Sequence, residues 1–435
     1  MQKISKVVSI IGIVCILLAV LLNPFVLKYL SDDNNISTTG IILLLFLELV
    51  LLTLGIYLYL KPEGYKNVIL FLVVCLLIWF PLDYVVAKLK LASGRDTFYT
   101  EQFRQMDEVY HHSFKPNTSG YLVTPEFKTA YNINSQGLRN PEISSKKEKI
   151  RILVLGDSFT EGWGVDYNDT SSKKLNDYLG ENFEVINAGV VSYSPTPEYL
   201  YLINKGINLE PDIVILNYDN SDIRGDIDYL ANSKFAGDGS LIAISPPPVT
   251  ILDKLWFTNW FFHAAKKLLM NLSTNGRKAP KEDVYLPYVY TAIASCNEFE
   301  NEWKYSFKYI SKIKDYLDSR GIPFIIVIYP YGHQVATNQW VTGRKGIFRS
   351  DMVYPFALAD CFENYTYGEE LTVFNLLFDF RNQSEITNLY YDYDLHMNKE
   401  GYGLMAKGIY TRLINTAEFN AIITKTSAGS NNVQQ

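Results

Sequence analysis

A short apolar segment that ends in a serine is the part of this sequence best suited to chemistry. Ile152–Leu155 reads as a buried strand, and the next three residues, ending at Ser158, turn the chain before a helix-compatible stretch near residues 169–178. A serine at the carboxyl end of a parallel strand lies where open α/β sheets bind their ligands. Thr160 occupies the last position of a Gly-x-Ser-x-Gly motif, so the α/β-hydrolase elbow is disfavoured.

A serine hydroxyl needs a neighbouring base, and that base needs an orienting group. The chain offers five histidines, at positions 111, 112, 263, 333 and 396. His333 follows the fourth predicted strand, on the sheet edge that carries Ser158, and is predicted to line a substrate cleft. It is the less attractive base because no acid lies beside it in the sequence.

The segments Gly156-Asp157-Ser158 and Asp392-Tyr-Asp394-Leu-His396 together resemble the first and last blocks of the SGNH (GDSL-type) hydrolases. The resemblance implies Ser158 as nucleophile, His396 as base and Asp394 as the orienting acid, with Asp392 in reserve. Taken alone, the second segment is also typical of a helix amino-terminus that Asn398 caps. The order and number of the blocks favour the catalytic interpretation.

The same resemblance implies donors for an oxyanion. Asn187-Ala-Gly189 is similar to the second block, so the backbone N–H of Gly189 and that of Ser158 are predicted donors, and the missing side chain at 189 is expected to let a substrate approach. The third block departs from the usual Gly-x-Asn-Asp, because Asn220 and Ser221 precede Asp222. Asn220 or Ser221 is the predicted side-chain donor.

Apolar segments alternate with helical patterns from residue 149 onward, which predicts a parallel sheet within a three-layer α/β/α, flavodoxin-like SGNH sandwich. The predicted strands are Arg151–Leu155, Phe183–Asn187, Asp212–Asn217, Phe324–Tyr329 and Thr372–Leu376. The predicted helices are Asp169–Leu179, Thr196–Lys205, Asn301–Arg320 and Asn398–Ile414. Residues 149–417 form this domain, residues 223–300 interrupt it as an insertion or cap, and residues 418–435 are expected to be disordered.

The amino-terminal residues are far more apolar than the rest. Val7–Leu22, Gly40–Leu60 and Val68–Ala87 have about the length of membrane spans, which predicts a three-helix transmembrane anchor over residues 1–90 and a polar connecting segment over 91–148. Most flanking lysines place the amino terminus in the cytoplasm and the later domain outside the cytoplasmic membrane, although basic residues after the third span favour the opposite. Glu48 within the second span is interpreted as bonded to a neighbour.

Composition narrows the classes of partner. The formal net charge of -6 and the absence of a basic stripe argue against a nucleic-acid partner. Neither metal-ligand spacing nor a phosphate-binding or dinucleotide-binding glycine motif occurs, so no cofactor is predicted. Cys296 and Cys361 could form a disulfide in an oxidising compartment, and the sequence leaves this open.

The resemblance covers about residues 130–415 and implies a membrane-tethered serine esterase or deacylase that acts on acylated glycans or lipids of the cell envelope. Two alternatives remain open at this stage. One is an O-acyltransferase that works with a membrane acyltransferase partner. The other is a module that keeps the fold and binds glycan without catalysis.

Overall fold

The computed structural model of the chain describes residues 2–23, 38–62, 65–69, 79, 83, 102–246, 286–345, 347–365 and 371–431. The chain divides into two compact units. One comprises Met1–Gly94 and Val249–Leu269, and the other comprises Arg95–Pro248 and Met270–Gln435.

The first unit contains two packed helices, α1 (Gln2–Leu22) and α2 (Thr38–Leu60). Their backbones meet at two glycines, since a Cβ added at Gly12 would lie 2.7 Å from the carbonyl oxygen of Gly55. The side-chain amide of Asn23 donates to both carboxylate oxygens of Glu48, at 3.0 and 2.9 Å. Glu48 is therefore bonded to a neighbour, as interpreted from the sequence.

Within the described residues, no helix has both the length and the apolar character required to cross a membrane. The helices predicted for the first two apolar segments are present, whereas the predicted anchor of three spans is not confirmed. Most of the third segment lies outside the described residues.

Among the described residues, the strands and ten further helices belong to the second unit. The strands are β1 (Arg104–Asp107), β2 (His111–Phe114), β3 (Thr118–Val123), β4 (Lys128–Ile133), β5 (Ile150–Leu155), β6 (Phe183–Asn187), β7 (Ile213–Tyr218), β8 (Ser233–Phe235), β9 (Leu241–Ile244), β10 (Phe324–Ile328) and β11 (Thr372–Asn375). The helices are α3 (Ser158–Glu161), α4 (Ser171–Leu179), α5 (Pro195–Asn204), α6 (Asp222–Leu230), α7 (Glu300–Asp318), α8 (Gly332–Val335), α9 (Leu358–Tyr365), α10 (Leu377–Ser384), α11 (Lys399–Leu413) and α12 (Ala417–Asn431).

The central sheet has five strands in the order β6-β5-β7-β10-β11, and every neighbouring pair is parallel. Counted along the chain within this sheet, the order is 2-1-3-4-5, which is the flavodoxin-like arrangement. The predicted parallel sheet is confirmed, and each predicted strand lies within about two residues of the observed one, a normal uncertainty for element ends. From β5 the chain continues to β6 on one side and then to β7 on the other, so the strand order reverses between β5 and β7. At such a switch point a crevice is expected beyond the carboxyl ends of the two strands.

Alternate residues of the central strands enter two separate cores. Leu153 and Leu155 of β5 pack in the core that includes α5 and α7. Ile152 and Val154 pack in the opposite core, with α4 and α11. Because both faces of the sheet are covered, the strands carry unbroken apolar runs. The predicted three-layer organisation is confirmed.

The predicted connecting segment is more structured than the sequence indicated. Its described part contains two antiparallel hairpins, β1–β2 and β3–β4. Phe103, Phe114 and Tyr131 are buried in the main core, and the rings of Phe103 and Tyr131 stack with centroids 4.4 Å apart. Gly137 has φ +77° in the turn that follows β4, a backbone conformation that favours glycine.

The expectation of a disordered tail is wrong for residues up to Asn431, which form α12. The helix is held because Phe419 is buried and stacks on Phe183, with ring centroids 5.5 Å apart. The predicted insertion begins with α6, the helix that follows β7, and continues into the β8–β9 hairpin. Its aromatic cluster around Trp256 lies outside the described residues.

Cys296 and Cys361 form a disulfide, which settles the pairing that the sequence left open. The bond joins the short 3-10 helix Cys296–Phe299, which precedes α7, to α9. The two cysteines are 65 residues apart, so the bond closes a long loop.

Candidate active site

Ser158 begins α3, immediately after the sharp turn that ends β5. A Cβ at Gly156 would lie 2.0 Å from the hydroxyl oxygen of Thr160, so the turn admits only glycine there. The carboxylate of Asp157 accepts the backbone N–H of Phe159 at 2.9 Å and caps the helix. These contacts present the Ser158 hydroxyl at the switch-point edge of the sheet.

His396 lies beside Ser158 although 238 residues separate them in the sequence. The Oγ of Ser158 is 2.7 Å from Nε2 of His396, and Nδ1 of His396 is 2.5 Å from Oδ1 of Asp394. The same Asp394 oxygen accepts the backbone N–H of His396 at 3.0 Å. The structure therefore brings the predicted nucleophile, base and acid together in one hydrogen-bonded chain.

The loop that carries the acid and the base precedes α11, whose first turn is capped by Asn398. The Asn398 side-chain oxygen accepts the N–H groups of Glu400 and Gly401 at 2.9 and 3.2 Å. The cap interpretation and the catalytic interpretation of this segment are therefore both compatible with the structure. Burial raises the pKa of Asp394, but the charge and hydrogen bonds of His396 outweigh it and hold that pKa below its usual range.

Two aromatic side chains enclose the imidazole of His396. The ring of Phe159 lies 4.7 Å from it, and the ring of Trp163 stacks on it at 5.4 Å. The Trp163 indole N–H also donates to Oδ2 of Asp394 at 3.2 Å. Sequence reasoning missed Trp163, because nothing in the motifs marks a residue five positions after the serine.

Two of the predicted oxyanion donors are hydrogen-bonded within the protein, and at Ser221 the bonded group is the backbone N–H and not the predicted side chain. The backbone N–H of Gly189 donates to the Asn187 side chain at 2.9 Å, and the Asn220 amide donates to the carbonyl of Tyr290 at 2.9 Å. The backbone N–H of Ser221 donates to Asp219 at 2.6 Å. Their roles as oxyanion donors stay predictions.

The reason for a glycine at 189 also differs from the expected one. A Cβ there would lie 2.3 Å from the backbone nitrogen of Glu161, within the turn that follows Ser158. The missing side chain makes room for the protein's own backbone. We expected the glycine to make room for a substrate, whereas in the structure it makes room for the backbone near Glu161.

His333 is fully buried and does not line an open cleft. Its ring stacks on Phe348 with centroids 3.9 Å apart, and its Nε2 lies 3.2 Å from the carbonyl of Thr291. Burial lowers the pKa of His333 to about 3. The predicted substrate contact does not fit this position, which is a packing position within α8.

A buried network of carboxyl and phenol groups lies behind the serine. The Tyr329 hydroxyl oxygen lies 3.2 Å from Asp157 and 3.0 Å from Asp219, so its one proton is shared between the two carboxyl groups, and the Tyr331 hydroxyl donates to Asp219 at 3.0 Å. Burial, together with the neighbouring charge of Asp219, raises the pKa of Asp157 to about 7. Burial likewise raises the pKa of Asp219.

A metal site is not found in the part of the chain that the structure describes, since no group of three or more histidine, cysteine, aspartate or glutamate side chains could hold an ion.

No protein-family model and no curated protein matches the chain. Solved structures that align with it include a putative G-D-S-L lipolytic protein from Desulfitobacterium hafniense DCB-2, at 14% identity and TM-score 0.33, covering 60% of this chain and 99% of that one. A GDSL-like lipase from Bacteroides thetaiotaomicron VPI-5482 aligns at 14% identity and TM-score 0.32, covering 62% and 91%. A carbohydrate acetylesterase family member from Sinorhizobium meliloti aligns at 12% identity and TM-score 0.29, covering 62% and 99%. At such TM-scores the likeness carries no argument about function.

Proposed function

We propose that this chain is a serine hydrolase that cleaves carboxylic esters, with Ser158 as nucleophile, His396 as base and Asp394 as the orienting acid. One observation carries the proposal, namely the hydrogen-bonded chain from Ser158 through His396 to Asp394 at the carboxyl edge of a parallel sheet. A serine, a base and an acid in this order are the arrangement that activates a hydroxyl for acyl transfer.

The proposed mechanism assigns each proton. With Nδ1–H of His396 donating to Asp394, the lone pair on Nε2 accepts the Ser158 hydroxyl proton as Oγ attacks the ester carbonyl. Collapse of the tetrahedral adduct expels the alkoxide, which takes the proton from Nε2 and leaves an acyl group on Oγ. Water then repeats the sequence and releases the carboxylic acid. The Asp394 carboxylate stabilises the imidazolium that forms in each half.

The substrate is proposed to be an acylated glycan or lipid of the cell envelope, met outside the cytoplasmic membrane. The apolar amino-terminal segments of the sequence favour a tether, and the Cys296–Cys361 disulfide favours an oxidising compartment. Localisation is tested by treating intact cells with a membrane-impermeant amine reagent, which should reach the exposed Lys146. Labelling of Lys146 is expected, and protection until the cells are lysed contradicts the outside placement.

A module that binds acylated glycan without catalysis is the second candidate. The engagement of Gly189 and Asn220 within the protein favours it, because acyl transfer needs donors directed at the developing oxyanion. The low exposure of Ser158, 6%, points the same way. An acyltransferase that needs a membrane partner shares the activated serine and differs in needing that partner for turnover.

The test uses the 435-residue chain in mild detergent, with a short-chain aryl ester and a fluorophosphonate probe. Wild type is expected to turn over the ester and to be labelled, and Ser158→Ala is expected to do neither. Ser172→Ala is the matched control, because Ser172 is another buried serine at the start of a helix and its hydroxyl lacks a hydrogen-bond partner among the described residues.

The outcomes separate the candidates. Labelling with turnover supports the hydrolase, and labelling without turnover supports the transferase. Absence of both in a folded wild type contradicts an activated serine and supports the binding module. Turnover that survives Ser158→Ala contradicts the mechanism.

A further inference from the structure

Glu126, in the loop between β3 and β4, contacts the loop that carries Asp394. Its Oε1 accepts the backbone N–H groups of Asp392 and Tyr393, at 2.9 and 3.0 Å. Its Oε2 accepts the backbone N–H of Asp394 at 2.6 Å. One carboxylate thus binds three consecutive N–H groups that lie more than 260 residues away in the sequence.

Three successive backbone N–H groups around one anion form a concave anion site, and charged acceptors make the short, strong class of hydrogen bond. The carbonyl side of the same loop is held separately. The carbonyl of Asp392 accepts the N–H of Gly343 at 2.8 Å, and the carbonyl of Tyr393 accepts the indole N–H of Trp340 at 3.0 Å. The loop is therefore fixed from both sides, with Glu126 on the N–H side.

Fixing this loop fixes Asp394, the acid of the hydrogen-bonded chain that ends at Ser158. Fixing the backbone of Asp394 fixes the origin of its side chain, whose Oδ1 bonds Nδ1 of His396. The ring of His396 can then direct Nε2 at Ser158 only while that origin stays in place. A displacement of about 1 Å in such a chain reduces a rate by about a hundredfold.

The hairpin region also holds the serine side of the site. The Arg139 guanidinium donates to the carbonyls of Glu161, Gly162 and Val165, at 3.0, 2.7 and 2.6 Å. Arg104 forms a buried ion pair with the Glu161 side chain. Residues 104–139 therefore contact both the turn that follows Ser158 and the loop before His396.

We propose that Glu126 is a positioning residue of the active site, which holds the 392–394 loop so that Asp394 orients His396 toward Ser158. The inference rests on the proposed function and deepens it, since it assigns a task to a segment that the sequence marks only as a connector. Glu126 acts through Asp394 and touches neither the reacting ester nor Ser158.

The test compares Glu126→Gln and Glu126→Asp with Glu142→Gln in the 435-residue chain. Glu142 is the matched control because it is another glutamate of this segment that accepts a backbone N–H, that of Ser135 at 2.9 Å, although Glu142 is exposed and Glu126 is half-buried. In Glu126→Gln, an amide NH₂ group replaces one of the two carboxylate oxygens. It then faces a backbone N–H of the 392–394 loop, and two donors cannot form a hydrogen bond. In Glu126→Asp, both acceptors and the charge remain on a shorter side chain.

Aryl-ester kcat and KM, the rate of fluorophosphonate labelling and the melting temperature are measured for each protein. Glu126→Gln is expected to lower kcat and the labelling rate together, by about 10- to 100-fold, with KM within about twofold of wild type. Glu126→Asp is expected to recover part of the loss, and Glu142→Gln is expected to match wild type. Because a fall in the folded fraction also lowers the apparent kcat at unchanged KM, each kcat and labelling rate is divided by the folded fraction taken from the melting curve.

Three results overturn the inference. The first is a folded Glu126→Gln protein with wild-type kcat and labelling. The second is a loss of kcat that appears only with an equal fall in the folded fraction. If Glu126→Gln does not fold, Glu126→Asp decides, and a folded Glu126→Asp with unchanged kcat is the third. If the wild type neither hydrolyses the aryl ester nor reacts with the probe, the proposed function and this inference fail together. If the wild type is active and Glu126→Gln has the same kcat and labelling rate, only the inference fails.

Discussion

Replacing Asp157 with asparagine is expected to make the protein more stable at alkaline pH and to change little at acid pH. Asp157 is 6% exposed, and its pKa rises from 3.8 to about 7, through burial and the nearby charge of Asp219. The folded state therefore keeps a proton that the unfolded state releases. Folding stability falls as pH rises through the interval from about 4 to about 7, and the loss is complete above it.

The magnitude follows from the shift. Between pH 5.5 and 8.5, stability changes only up to the folded-state pKa of about 7. That interval spans about 1.5 pH units, and each unit corresponds to about 1.4 kcal/mol. Wild type is therefore expected to lose about 2 kcal/mol over this range through Asp157. For the unit of Arg95–Pro248 and Met270–Gln435, which has about 320 residues, that is roughly 3 °C of melting temperature. Asparagine keeps an oxygen for the Phe159 N–H and for the Tyr329 hydroxyl, so the packing changes little.

The assay is thermal unfolding of wild type and Asp157→Asn at both pH values. The melting temperature of the variant relative to wild type is expected to rise by about 3 °C between pH 5.5 and 8.5. Asp238→Asn is the matched control, because the exposed Asp238 also accepts a backbone N–H two residues later, at 2.9 Å. A difference that is the same at both pH values, or larger at pH 5.5, refutes the assignment of a raised pKa to Asp157.

Two further changes test the site and the fold. Asp394→Asn is expected to lower kcat by about 10²- to 10⁴-fold, because a neutral amide does not stabilise the imidazolium of His396; an aryl-ester kcat within about threefold of wild type contradicts the role of Asp394. Cys296→Ser combined with Cys361→Ser is expected to cost roughly 2–5 kcal/mol of folding stability, seen as a lower melting temperature. Reductant should lower the melting temperature of wild type and leave that of the double variant unchanged, and equal sensitivity of both proteins contradicts the disulfide.

The strands and helices of the α/β core could be predicted because their sequence pattern follows directly from their burial. Strands covered on both faces carry unbroken apolar runs, as in Ile152–Leu155. Helix α7 buries Trp303, Phe307, Ile310, Ile313 and Leu317, the stripe that its sequence shows. The pair of Ser158 and His396 was found because both motifs are local, although the contact between them is not.

The hairpins of residues 104–133 could not be predicted in the same way. Their strands are four to six residues long and bury only alternate side chains, so their polar residues resemble those of a loop. The bond from Glu126 to the 392–394 loop leaves no local signal, since any exposed glutamate has the same sequence appearance. The engagement of the Gly189 N–H likewise depends on the folded position of the Asn187 side chain.

The departure in the third motif has a structural counterpart in the buried network behind the serine. Where the resemblance leads one to expect an asparagine donor, the chain has Ser221, and the neighbouring Asn220 amide is directed to Tyr290. The space beyond the carboxyl end of β7 is taken by Asp219, which accepts the hydroxyls of Tyr329 and Tyr331. These phenols tie the ends of β7 and β10 together, as an inward-facing asparagine would not.

This network explains why a costly buried carboxyl is retained beside the nucleophile. Asp157 caps α3 and receives the Tyr329 hydroxyl, so it links the serine turn to Asp219 and the end of β7. Removing the charge of Asp157 removes the cost of desolvating it. Removing its oxygens breaks the hydrogen bonds from the Phe159 N–H and the Tyr329 hydroxyl, which hold the turn that carries Ser158. Asparagine separates these two effects, because it is neutral and keeps an acceptor. If the proposed esterase is active, the Asp157→Asn variant is expected to keep Ser158 in place, and its gain in stability then measures the free energy that the charged carboxyl costs the fold.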